Sequence, residues 1–395
     1  MTATGRNRRI PKKENLIRRG LLRGSLALLA GTFLLANCSG NTNSSGPAAP
    51  LPVGQTGSIL ATGNTGNCYI SDTSACGSTY KGSNTITALA TLVSGGNYLY
   101  IGDNAGNIVG ATVSNTSPPT PNSTSCPPTG ASSKVLAIAA GNSALIYSNS
   151  SGVTIKTIAT LPCTTFTQTY NTSSITNASG LTYNTSAGEF VGVTSNAQYF
   201  TCSTTSCTSP TPLPNLQDTS PNITAIASGP PQSTTQSLVY ILSIGASTNR
   251  IYFYYVSGST LTYLGNYSGI ELNYPSGIAL FQGANPTQNY CTSGACTFMD
   301  VTNTGNSTIT QYVLTSSGSG AQTSVSVNQF NNAYFDCDLI NSAAIAAFPN
   351  YGSGNLLPQP DVFVGEQGTS YGSCLGTPSN ASYGNNVTAY TIAGE

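Results

Sequence analysis

The chain has 395 residues, 38% hydrophobic and 8% aromatic, enough apolar material to exclude a disordered polymer. It contains no histidine, which excludes Ser-His-Asp and Cys-His nucleophile pairs and mixed Cys/His zinc sites at once. The 12 basic and 12 acidic residues cancel overall, but beyond Cys38 only Lys81, Lys134, Lys156 and Arg250 face eleven acids, a net of −7; so few cations cannot neutralise a phosphate backbone, and nucleic acid is not an expected partner.

In chain order, residues 1–23 carry Arg6, Arg8, Arg9, Lys12, Lys13, Arg18, Arg19 and Arg23 against the single acid Glu14, and residues 24–36 are an uncharged run of small residues and leucine. Basic then apolar is the pattern of an export signal. The run of 13 residues falls short of the ~20 that cross a bilayer as a helix, so removal is expected rather than a permanent span. Its end, Leu35, Ala36, Asn37 and Cys38, resembles the lipobox of bacterial lipoproteins, with Asn37 in place of the usual small residue. That resemblance implies cleavage after residue 37, acylation of Cys38 and a lipid anchor in the cell envelope. Ser39 then implies sorting to the outer membrane in a host that has one. RRGLLR at 18–23 also resembles a twin-arginine export motif; the general secretory route is the alternative. Residues 38–56 read as a flexible Ser/Asn/Gly/Pro tether, reaching about 20 to 25 Å by random-coil scaling.

The chain has eleven cysteines. With Cys38 acylated, Cys68, Cys76, Cys126, Cys163, Cys202, Cys207, Cys291, Cys296, Cys337 and Cys374 remain, an even set suited to disulfides in an oxidising compartment. Cys68 with Cys76, Cys202 with Cys207 and Cys291 with Cys296 are close enough for bonds across a hairpin or within a loop. Spacing does not determine connectivity for the set.

From residue 57 to 395 short runs rich in Val, Ile, Tyr and Thr alternate with Gly/Ser/Asn turns, and no helical period appears, so this region is expected to be all-β. A small-residue strand recurs at 86–90, 135–139, 179–183, 223–227, 276–280 and 343–347. Its central residues Leu89, Ile138, Leu181, Ile226, Ile278 and Ile345 step by 49, 43, 45, 52 and 67 positions. Steps of 40 to 50 suit the four-stranded blade of a β-propeller, and the last requires an insertion. Aromatic-rich second and third strands follow each marker, as expected if small residues crowd the axis and large ones sit outside.

YLYIGDNAGNIV at 98–109, YPSGIA at 274–279 and NNVTAYTI at 385–392 resemble YVTN-type and NHL-type repeats, a superfamily that includes the propeller lactonases. The resemblance implies a propeller over roughly residues 57–395. Residues 58–82 are either a shortened blade or the piece that completes the last one; seven blades are favoured over six.

By this topology Asp72, Asp103, Asp300 and Glu366 end second strands, while Asp218, Glu271, Asp336 and Asp338 lie between blades, which puts all eight on one face. Such a face suits a basic partner or a calcium ion; the bland alternative is that aspartates start turns and keep the protein soluble. Residues 103–107 read as a hairpin turn rather than a calcium loop, because the alternating ligands and closing glutamate are missing. Asp336 and Asp338 are the candidate pair for carboxylate-dependent glycan cleavage. Lactonase-like sites generally rely on His and Arg as well as acids, and with no His and one Arg in the mature chain that activity is not carried over. The expected function is a monomeric, non-enzymatic binding or scaffold module, without cofactor, for a protein or glycan at the cell envelope. A structural or adhesive surface lipoprotein is the rival.

Overall fold

A computed structural model describes residues 61–62, 78–81, 84–94, 96–113, 121–126, 133–229, 238–284, 295–306, 308–334, 344–348, 361–365 and 386–392. Two short strands, β1 (Ala61–Thr62) and β2 (Ser78–Lys81), precede a regular series. The first blade is β3 (Ile86–Val93), β4 (Asn97–Asp103), β5 (Ile108–Val113) and β6 (Pro121–Ser125). The second is β7 (Ala137–Gly141), β8 (Ala144–Asn149), β9 (Gly152–Thr160) and β10 (Thr165–Thr172), and the third is β11 (Ala178–Asn184), β12 (Glu189–Thr194), β13 (Gln198–Cys202) and β14 (Thr211–Pro212). The fourth is β15 (Asn222–Ser228), β16 (Leu238–Ile244), β17 (Asn249–Ser257) and β18 (Thr260–Tyr267). The fifth is β19 (Pro275–Ala284), β20 (Ala295–Asn303), β21 (Thr308–Ser317) and β22 (Ser324–Tyr334). Last come β23 (Ala344–Ala347), β24 (Asp361–Gly365) and β25 (Asn386–Ile392). Among the described residues no helix is long and apolar enough to cross a membrane.

Within each of the five four-stranded sheets the strand pairs are antiparallel and follow chain order. The protein is therefore an all-β propeller, with five four-stranded blades among the described residues where seven or six were expected. The ring is closed by a composite five-stranded sheet in which β25 pairs with β24 and also with β1 and β2. β1 and β2 thus join the C-terminal sheet instead of building a blade of their own. The physical reason is edge pairing: the edge of β25 turned away from β24 carries unpaired backbone groups unless another strand covers it, and β1 and β2 satisfy them.

The small-residue strands are the axial ones. β3, β7, β11, β15, β19 and β23 touch in sequence, and β23 returns to β3. Gly180 shows why small residues are needed: a Cβ there meets the Ile226 backbone nitrogen of the next blade at 2.8 Å. Outer strands have room for rings, and Tyr100, Tyr147, Tyr240, Tyr252, Tyr254 and Tyr312 are fully buried between sheets. Tight turns follow the expected chemistry; β7 and β8 join through Asn142 and Ser143, both left-handed at φ 48° and 57°, as a two-residue hairpin of that twist demands.

Two disulfides are described. Cys202 pairs with Cys207 across a short loop, as the spacing suggested. Cys126 pairs with Cys163, a bond across 37 residues that fastens the end of the first blade to the β9–β10 turn of the second. Sequence spacing had not singled out that pair. Cys38, Cys68, Cys76, Cys291, Cys337, Cys374 and the side chain of Cys296 lie outside the described residues, as do residues 1–60.

Candidate functional site

The axial strands enclose a channel of about 790 Å³. Its wall is mainly Ala, Gly, Leu, Ile, Ser and Thr, and among the described residues Tyr183 is the one titratable side chain in it. Several wall hydroxyls are spent on joining blades: Thr87 Oγ1 donates to the Val135 carbonyl at 2.6 Å, Thr224 Oγ1 to the Pro275 carbonyl at 2.8 Å and Thr91 Oγ1 to the Ala347 carbonyl at 2.7 Å. Burial pushes the Tyr183 phenol up, so it stays protonated near neutrality. Among the lining residues no acid stands beside a base.

The described acids of the proposed face are each taken up internally. Asp103 closes the β4–β5 hairpin. Its Oδ1 accepts from the backbone N–H groups of Ala105 (2.9 Å) and Asn107 (2.8 Å), and its Oδ2 from the side-chain amides of Asn84 and Asn107, both at 2.8 Å. Four N–H donors around one carboxylate make a turn, not a cation site. Asp218, between β14 and β15, is ion-paired with Arg250 (Nε to Oδ1, 3.1 Å) and accepts from Ser243 Oγ at 3.0 Å and Tyr252 OH at 2.8 Å. Burial first, and then the Asp218 carboxylate, raise the Tyr252 phenol to about 12.

Glu271 lies between β18 and β19, as expected, but points inward: it is buried and accepts from Tyr267 OH at 2.7 Å and Tyr312 OH at 3.0 Å. Asp300 departs further. It does not end a second strand; it sits inside β20, opposite Ala279 on one side and Gln311 on the other, 3% exposed. Gln311 Nε2 donates to its Oδ1 at 2.9 Å, and burial pushes its carboxyl up to about 7. The structural reason is strand length: β20 runs on to Asn303 because Val301 and Thr302 continue its pairing with Ile278 and Gly277. Asp72, Asp336, Asp338 and Glu366 lie outside the described residues, and among the described residues no three acidic or cysteine side chains converge on a metal position.

The same face carries a feature the charge pattern missed. Residues 268–274 link β18 to β19, and within them Glu271 and Leu272 turn in while Ile270 and Tyr274 are among the exposed large apolar side chains of the described residues. Hydrogen bonds strap this loop down: Asn273 N–H donates to Asn303 Oδ1 at 3.0 Å, Gly305 N–H to the Asn273 carbonyl at 3.0 Å and Asn249 Nδ2 to the Leu272 carbonyl at 2.8 Å. The Tyr274 carbonyl accepts from the Thr304 N–H at 3.1 Å and the Thr304 hydroxyl at 3.0 Å. Tyr274 has φ 50°, a left-handed conformation that is costly for a bulky residue and more so just before a proline. Gly269 lets Glu271 in, since a Cβ there overlaps the Glu271 carboxylate. The available signal was inverted polarity in the run SGIELNYP, with the acid inside and the isoleucine outside.

No protein-family model and no curated protein matches the sequence. Among solved structures the chain is similar to the PQQ-bound aldose sugar dehydrogenase of Streptomyces coelicolor, at 11% identity and a TM-score of 0.44, covering 80% of this chain and 97% of that one. It is also similar to the N-terminal domain of Nup159, at 8% identity and a TM-score of 0.37, covering 77% and 75%. Likeness at this level concerns the arrangement of strands, not chemistry.

Proposed function

We propose that the mature chain is a lipid-anchored propeller of the cell envelope, held by an acylated Cys38, that binds a protein partner without catalysing a reaction. The face proposed for contact carries the blade-to-blade connections, and the observation behind it is the strapped loop 268–274, which holds Ile270 and Tyr274 in solvent at the expense of backbone strain at Tyr274. Strain kept in place by surrounding hydrogen bonds points to a role for what it displays, and apolar groups on a rigid support lose little entropy on docking. The described acids of that face are engaged internally, so contact is assigned to these side chains and not to charge. Kinship with YVTN/NHL-type propellers is part of this reading and rests on the repeat pattern.

Crosslinking the intact protein in envelope membranes, then purifying it in detergent with and without a calcium chelator, tests this. The expected result is one captured partner, retained under chelation and lost in Ile270→Asp and Tyr274→Ser. Equal capture by all three chains removes the loop from the site, and self-association alone favours a structural surface protein. Cys38→Ser is expected to abolish lipid labelling and membrane retention.

A further inference from the structure

The fifth blade has two unlike sides. Met299 and Val301 of β20 pack into the apolar core shared with the fourth blade. Alternation along the strand then turns Phe298, Asp300 and Thr302 the other way, toward β23 of the closing sheet, which touches β20. On that side Asp300 and Gln311 are 3% and 0% exposed. Their one described mutual bond is Gln311 Nε2 to Asp300 Oδ1, and Gln311 Oε1 is buried with no hydrogen-bond partner.

A buried carboxylate with one neutral donor beside an acceptor that has none lacks a proton. We propose that Asp300 is a neutral carboxylic acid paired with Gln311 as a cyclic acid–amide couple, and that loss of its proton to solvent loosens the seam between the fifth blade and the closing sheet. In the couple the carboxyl O–H donates to Gln311 Oε1 while Gln311 Nε2 donates to the other carboxyl oxygen, so every polar atom of the pair is satisfied. Above the titration point a charge stands in a seam with no described counterion. β19 carries no titratable side chain. β23 carries none either. Tyr312 of β21 shares its side with Met299, where it bonds Glu271. Asp361 of β24 and Cys296 of β20 have side chains outside the described residues.

The sign follows from the raised carboxyl. The folded chain binds this proton more tightly than the unfolded one, whose aspartate titrates near ~3.9, so stability contributed by the proton is present at low pH and is lost as pH rises toward about 7. The test is thermal unfolding of the full chain between about pH 6 and about pH 8.5, together with acid–base difference infrared spectra. Both are recorded in a Glu189→Gln background, because Glu189 is another carboxyl that burial pushes up. The expected fall in Tm over that range is about 2 to 3 °C more than in Asp300→Asn, with a protonated-carboxyl band that vanishes at high pH and is missing from Asp300→Asn. Gln311→Glu, which puts two carboxyls on one proton, is expected to steepen the fall. Equal slopes with and without Asp300, or no acid band at about pH 6, overturn the proposal. If Asp300→Asn does not fold, the infrared titration of the parent decides alone.

Discussion

Glu271 and Asp300 bury carboxyl groups on opposite sides of the same sheet, and the two sides handle them differently. On the side facing the fourth blade, Glu271 receives two phenolic hydroxyls, from Tyr267 and Tyr312, at the margin of an apolar core. On the side facing the closing sheet, Asp300 receives one amide hydrogen, and its partner keeps an orphan oxygen. The comparison teaches that two carboxyls removed from water in one sheet can be given different numbers of hydrogen-bond donors, two phenols against one amide. The tyrosines report the same asymmetry. Burial, with the Glu271 carboxylate adding to it, pushes the Tyr267 and Tyr312 phenols up, so both remain donors throughout the ordinary pH range.

The comparison breaks most visibly at Glu271. Glu271→Ala takes the acceptor from the buried Tyr312 hydroxyl and the half-buried Tyr267 hydroxyl and is expected to destabilise the protein by about 3 kcal/mol in chemical denaturation, with Glu271→Gln recovering most of it. Next comes Gln311→Leu, which removes the only described donor to Asp300. Its cost is expected to be about 2 kcal/mol at about pH 8.5 and clearly smaller at about pH 6, where a protonated Asp300 depends less on that donor. Tyr267→Phe deletes one of two donors and is expected to cost about 1 kcal/mol, with non-additivity against Glu271→Ala in a double-mutant cycle. The smallest effect has the opposite sign: Asp300→Asn is expected to raise stability by about 1 kcal/mol at about pH 8.5 while leaving it near the parent at about pH 6. A pH-independent loss in that variant would mean that the two sides of the sheet are alike.

Much of the ring was legible because its constraints are local. The Ala-rich markers at Leu89, Ile138, Leu181, Ile226, Ile278 and Ile345 all lie in axial strands, since only small residues fit where neighbouring backbones approach, as at Gly180 and Ile226. Residues 103–107 formed the hairpin turn their composition indicated. Blade number was not legible, because β1 and β2 carry strand-like sequence whether they begin a blade or finish one, and the choice depends on the free edge of β25 more than 300 residues away. The partners of the described acids were not legible for a related reason. Charge in a sequence shows that a carboxyl is present, not which donors surround it: Asp218 finds Arg250 32 positions away, Asp300 finds Gln311 11 away, and Glu271 adds Tyr312, 41 away, to the nearby Tyr267.

By itself, then, the sequence determined the all-β class, the axial strands and their period, because steric crowding and strand alternation act over a few residues. Tertiary structure alone decided how the ring closes, which cysteine from a neighbouring blade Cys126 meets, and that Ile270 and Tyr274 face water while Glu271 and Asp300 do not. Those outcomes depend on distant groups satisfying one another's hydrogen bonds, and spacing along the chain carries no record of that.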